Sequence, residues 1–336
     1  MGRQGNYRGF ASSVRRDVQI AAATTTNYSR KMAQETQVKI YAIGAAGMLG
    51  AALVPYFESK GHEVMATDID VNEPWIEYCD VVSYHDMHQD MSYFRPTHVF
   101  NLAAKTDLEY CETHAGDAIS TNAGGSANCA ALAKKFDATY VYISTAGIFD
   151  GTKEYYSDED MPNPLCVYGQ SKYWGEVIAQ TVPQHIVLRC GWQMGGAASG
   201  KDKKFVSKIV KQLKAGATEL NVVTDKQGTP TYTKDFTKQI EKLMDTQSYG
   251  LWNAVCKGDA SRYDVAVELV RLLGLQDKVK INIVDSSFWA DTYFATRPAS
   301  EKMLTTRLDA AGLNVMRHWK DCLQEYVAEN PEYFKF

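Results

Sequence analysis

Tyr168 and Lys172 stand four residues apart in the run Tyr168-Gly169-Gln170-Ser171-Lys172, which puts both side chains on one face of a helix. An ammonium beside a phenol favours the phenolate and draws a pKa near 10 toward working pH. Such a phenol can pass a proton to or from a substrate oxygen while a nicotinamide carries the hydride. Lys172 would also hold the nicotinamide ribose. Alone, the spacing describes many solvated helix faces. It gains weight from Ser144-Thr145, which close a strand-like run over residues 138–145. That is the carboxyl edge of a parallel sheet, where open α/β folds bind ligands, and Thr145 is expected to hydrogen-bond a substrate carbonyl.

A second set of residues suits a dinucleotide. Gly44, Gly47 and Gly50 follow the apolar run 38–43 and open a helix pattern in Gly44-Ala45-Ala46-Gly47-Met48-Leu49-Gly50. Glycines make the turn tight and leave backbone N–H groups and the helix N-terminus free to reach a pyrophosphate. Asp68 ends the second strand-like run, 18 residues after Gly50. A carboxylate there accepts from the adenosine ribose hydroxyls and repels a 2′-phosphate, and no Arg or Lys stands close to it. NAD is therefore the expected cofactor, with NADP as the alternative.

The elements that must position these groups alternate. Strands are expected at 38–43, 62–68, 80–84, 97–102, 138–145 and 185–190. Helices are expected after Gly47, over 115–136 and over 168–181. The fold class is α/β: a Rossmann-type, doubly wound parallel sheet with a smaller C-terminal α/β substrate-binding region. Residues 35–190 form the NAD(P)-binding part, and 191–336 the substrate-binding region, whose chain crosses back to the sheet. Beyond 190 the pattern loosens, with helices near 203–214, 233–245, 262–273, 305–311 and 317–329, strands at 220–223 and 279–284, and Ser261 as an N-cap.

Composition narrows the function. The 336 residues are 45% hydrophobic and 23% charged, with 36 Lys+Arg against 40 Asp+Glu and a net charge of −4. That leaves no electrostatic reason to expect nucleic acid or an acidic membrane as partner, and no apolar run is long enough to span a bilayer. Seven scattered cysteines form no CxxC, and no His pair has ligand spacing, so no metal site is expected and reduced thiols in a cytoplasmic setting are. Residues 1–34 read differently. Six basic side chains among the first 31 residues face a single acid, Asp17, as in an organelle transit peptide, an upstream extension or a leader. Disorder is expected in much of that segment.

Together these residues resemble the extended short-chain dehydrogenase/reductase family, and within it the dTDP-4-dehydrorhamnose reductases and related nucleotide-sugar 4-ketoreductases. The landmarks are the Gly44–Gly50 turn, Asn101-Leu102-Ala103-Ala104 with Thr106 and Glu112, and Ser144-Thr145 leading to Phe149-Asp150-Gly151. Further on come Tyr168 with Lys172 and Glu176, Arg189 with Trp192, Gln227-Gly228-Thr229-Pro230-Thr231, and Arg297-Pro298. The resemblance implies an NAD(P)-dependent reductase of a nucleotide-linked 4-keto-6-deoxy sugar, with Thr145, Tyr168 and Lys172 catalytic. It implies that Met48, Leu49, Ala103, Ala104 and Lys105 join Gly44, Gly47, Gly50 and Asp68 around the cofactor. Thr106, Asn122, Trp192, Gln227, Thr229 and Arg297 would meet the nucleotide-sugar, the Arg through a fork that suits a diphosphate. A homodimer is left open. Two departures stand out: Ala146 follows the active-site Thr where such reductases usually carry Asp, and Cys166 replaces the usual Asn before the tyrosine. A nucleotide-sugar epimerase or dehydrogenase of the same family, or a non-catalytic nucleotide-binding regulatory subunit like methionine adenosyltransferase β, are the alternatives.

Overall fold

Runs such as Ile40-Tyr41-Ala42-Ile43 and Tyr140-Val141-Tyr142-Ile143 are apolar at every position, the pattern of a strand covered on both faces. Both are buried throughout. The computed structural model describes residues 37–71, 73–196, 202 and 204–336, so the segment 1–34 lies outside it. Its strands are β1 (Lys39–Ile43), β2 (Glu63–Asp68), β3 (Glu77–Tyr78), β4 (His98–Asn101), β5 (Thr139–Thr145), β6 (His185–Cys190) and β7 (Trp192–Met194). They continue as β8 (Glu219–Val223), β9 (Gln227–Gly228), β10 (Pro230–Tyr232), β11 (Gly250–Asn253), β12 (Ala260–Ser261), β13 (Lys280–Val284) and β14 (Ser300–Glu301).

Seven of them form one parallel sheet in the order β11-β6-β5-β4-β1-β2-β3. Alternate residues feed two cores. Ile40, Ala42, Val141 and Leu188 face the side that packs the Met48–Ser59 helix and much of the C-terminal half. Tyr41, Ile43, Tyr140 and Tyr142 face the side that packs the Tyr84–Phe94 and Gly125–Phe136 helices. Chain order reverses between β1 and β4, which opens the crevice where such sheets bind ligands.

The structure departs from the sequence reading at the third strand and at the long helix over 115–136. Residues 80–84 are not a strand: Asp80 turns the chain, with Val82 N donating to its side chain at 3.1 Å. Ser83 then accepts from Asp86 N and caps the Tyr84–Phe94 helix. The third strand is the two-residue β3, just upstream at the sheet edge. The long helix over 115–136 is broken by a π-helical turn at Ser120–Gly124, which carries Asn122. The seventh strand, β11, comes from the C-terminal half, so this region completes the first sheet. It also leans on it: Lys60 pairs with Glu241 of the Thr233–Asp245 helix at 3.1 Å, and Tyr56 hydrogen-bonds the same carboxylate. Ser261 caps the Arg262–Leu272 helix in a reciprocal box with Asp264. Among the described residues no helix is long and apolar enough to cross a membrane.

Candidate active site

The turn after β1 can be made only by glycine at its two ends. Gly44 has φ +85°, and a Cβ there would stand 2.3 Å from Ala103 N in the loop after β4. A Cβ on Gly50 would stand 2.1 Å from Ala45 O. The turn is pinned to β2, since Gly44 N and Ala45 N both donate to Thr67 O, at 2.8 and 3.0 Å. The Met48–Ser59 helix that follows has no side-chain N-cap, so its first amides face the crevice with nothing of their own side chains across them. Asp68 accepts from Ala46 N at 3.0 Å and from Asp70 N at 2.9 Å, and it still lines the crevice. The acid both braces the turn and presents charge. Asp68→Asn keeps an acceptor but loses that charge, and is expected to shift the NADH-to-NADPH affinity ratio about tenfold toward NADPH. Fluorescence titration of the two cofactors measures it, and an unmoved ratio removes the carboxylate from cofactor choice.

The Val167–Ala179 helix carries Tyr168 and Lys172 and is held at both ends of its first turn. Glu112 accepts from Val167 N at 2.8 Å, a carboxylate at a helix N-terminus. Ser171 donates to Tyr168 O at 2.8 Å and receives Asn122 Nδ2 at 2.9 Å. Tyr142 donates to Lys172 O at 3.1 Å, and Gly175 lets the helix close onto that tyrosine, because a Cβ there would meet its hydroxyl at 2.2 Å. Lys172 is buried with its ammonium 4.3 Å from the centre of the Tyr142 ring.

The electrostatics differ from the simple phenol–ammonium expectation. Burial pushes the Tyr168 hydroxyl above its ordinary value, the Cys190 thiol adding to it, while the Thr145 hydroxyl pulls down. Burial pulls Lys172 down to about 8. Desolvation governs both groups, so the phenol is held protonated. Between about pH 8 and the ordinary lysine value the unfolded chain binds a proton at residue 172 that the folded chain does not. This group therefore makes stability rise with pH across that window. Against Lys172→Met, the wild type is expected to gain roughly 1–2 kcal/mol between pH 7.5 and 9.5 in urea unfolding. Parallel pH dependences would show a lysine with an ordinary pKa.

A cleft of about 950 Å³ runs along the carboxyl ends of the strands. Gly44, Gly47, Met48, Leu49, Gly50, Asp68, Ala103, Ala104 and Lys105 line it, as do Thr145, Tyr168, Lys172, Thr106, Trp192 and Arg297. Asn122, Gln227 and Thr229 do not. Asn122 is buried, accepting from Lys105 N and donating to Lys105 O and Ser171, so it ties the loop after β4 to the tyrosine's helix. Gln227 donates to Thr224 O, and buried Thr229 accepts from Met303 N and, through its carbonyl, from Trp192 N. Thr229, together with the Gly228 backbone, seats Trp192 from behind. Arg297 faces the cleft but is already forked onto Glu109, at 2.8 and 3.0 Å. The sequence reading passed over Glu301, Arg262 and Lys204, all on the cleft wall. Arg262 follows the Ser261 cap directly, a position that could have signalled a placed cation.

A family model described as the RmlD substrate binding domain matches residues 38–331. A dTDP-4-dehydrorhamnose reductase of Clostridium acetobutylicum superposes with a TM-score of 0.79 at 31% identity, covering 87% of this chain and 99% of that one. A dTDP-4-dehydrorhamnose reductase of Bacillus anthracis, solved in complex with NADP, gives 0.79 at 25% identity, over 88% and 100% of the two chains. Methionine adenosyltransferase 2 subunit beta of Danio rerio is 26% identical over 284 residues, 82% of this chain and 86% of that protein.

Proposed function

The chain belongs to the RmlD substrate-binding-domain family, and from that premise we propose that it is an NAD(P)-dependent reductase of a nucleotide-linked 4-keto-6-deoxy sugar. The observation that carries the reading is one cleft lined both by a tight glycine turn, whose following helix opens without a side-chain cap, and by a protonated Tyr168 with Thr145 and Lys172. The residues fit a dinucleotide. The uncapped amides at Gly47–Leu49 would hold its pyrophosphate, Asp68 its adenosine ribose and Lys172 its nicotinamide ribose. When bound in reduced form, the nicotinamide supplies a hydride to the carbonyl carbon.

Tyr168 gives its proton to the carbonyl oxygen, completing the alcohol, and Thr145 holds that oxygen by a hydrogen bond. A phenol held above its ordinary pKa is a donor at neutral pH, which suits the reductive direction. Asp68 supports NAD, whereas the Bacillus anthracis relative carries NADP. Trp192 and Thr106 would take the sugar and its nucleotide.

The likeness to the methionine adenosyltransferase subunit supports a second reading, a nucleotide-binding regulatory chain. Incubation of the purified protein with NADH or NADPH and dTDP-, UDP-, GDP- or CDP-linked 4-keto-6-deoxyhexoses separates the two. Oxidation of the cofactor with one of them supports the reductase. Tight cofactor binding with no oxidation by any sugar overturns it in favour of the regulatory reading.

A further inference from the structure

Glu301 ends β14 and faces the cleft. Its Oε2 accepts from Trp192 Nε1 at 2.6 Å. The indole is fixed in turn. Gly228 backs it, since a Cβ there would meet its ring at 2.3 Å, and the Arg262 guanidinium lies 3.6 Å over its centre. Among the described residues nothing donates to Oε1. A Cβ built on Gly147 would find Glu301 Oε1, Thr145 Oγ1 and the Tyr168 ring each at 3.5 Å. Three side chains thus converge on a residue that has none, and the Glu301 charge adds to the upward push on the Tyr168 hydroxyl.

An ionised carboxylate can only accept. Beside an oxygen that gains negative charge during reduction it would be repulsive, unless a donor group of the substrate occupies it. In a 4-keto-6-deoxyhexose the carbonyl carbon is flanked by C3, which bears a hydroxyl, and by C5, which bears the ring oxygen and the methyl group. The 3-hydroxyl is the only O–H next to the reacting carbon. Resting on the reductase reading, we propose that Glu301 is a specificity-determining residue whose Oε1 accepts the hydrogen bond of the substrate hydroxyl adjacent to the carbonyl. Tyr168 and Thr145 hold the carbonyl oxygen at the same time.

The test compares the full-length chain with Glu301→Gln and Glu301→Ala, using reduced cofactor and either a dTDP-linked 4-keto-6-deoxyhexose or its 3-deoxy analogue. The wild type is expected to prefer the hydroxylated sugar by roughly 10- to 100-fold in kcat/KM. Glu301→Ala erases that preference, by losing activity on the hydroxylated sugar alone. Glu301→Gln, which can still receive the Trp192 N–H, keeps part of it. Affinities for dTDP alone and for the cofactor stay at the wild-type level. A preference that survives Glu301→Ala overturns the proposal and leaves the reductase reading standing, as does a loss shared equally by dTDP and cofactor binding. A wild type that reduces neither sugar on any of the dTDP, UDP, GDP and CDP carriers overturns both.

Discussion

Tyr168→Phe is expected to lower turnover by about three orders of magnitude while cofactor affinity changes less than twofold. The substitution removes one oxygen from a ring packed against Gly147, so the helix keeps its fit. Lys172, the group proposed to hold the nicotinamide ribose, stays on Tyr142. What is lost is the donor. Without it the reduced oxygen would have to take its proton from water, since Thr145, whose Oγ1 accepts from Gly147 N at 3.1 Å, is an aliphatic alcohol and a weaker acid than a phenol. Steady-state turnover and cofactor titration on the same preparation check both halves. Unchanged turnover removes the phenol from the chemistry.

Glu176→Ala is expected to cost about 3–5 kcal/mol of stability. Glu176 and Arg189 are both almost wholly buried and meet in a fork at 2.6 and 3.1 Å. Ser144 donates to the same carboxylate at 2.6 Å, and Arg189 also reaches Asp158 O at 3.3 Å. Removing the acid strands a buried guanidinium and a buried hydroxyl, and it does so directly behind Thr145. Denaturant unfolding should show the loss. Replacing both partners together, as Glu176→Leu with Arg189→Met, should recover much of it, because no charge is then left unpaired. A Glu176→Ala midpoint within error of the wild type would show the fork to be energetically idle.

The strands that frame the cleft were legible because burial on both faces writes an unbroken apolar run, as in β1 and β5. Where the sheet thins to an edge, that signal fails: β3 is two exposed residues, whereas the apolar pair Val81-Val82 mimics a strand although only Val81 is buried. The groups nearest the chemistry were legible through spacing along one helix. Those supplied from afar were not. Nothing in the local sequence of Glu301 says that it will reach Gly147. Likewise, the charge of Arg297 could be read but its partner Glu109 could not. Gln227 and Thr229 belong to a distinctive run, yet their side chains are spent on backbone, and what the run provides is a bed for Trp192. The phenol's acidity followed the same rule. Spacing puts an ammonium one turn away, and only the packed structure reveals that dehydration dominates.

β11 has a consequence for how the polypeptide can be divided. Its four residues hydrogen-bond along β6, register Gly250 to Ile186 through Asn253 to Arg189, at the flank of the sheet. Cutting the gene anywhere between the two would bare the backbone of β6 as a sticky rim, and a cut before residue 233 would also strip the Met48–Ser59 helix of its cover. Calorimetry of the intact chain should then record a single cooperative endotherm, and amino-terminal fragments ending before residue 250 should be recovered as aggregates rather than as a free-standing nucleotide-binding half.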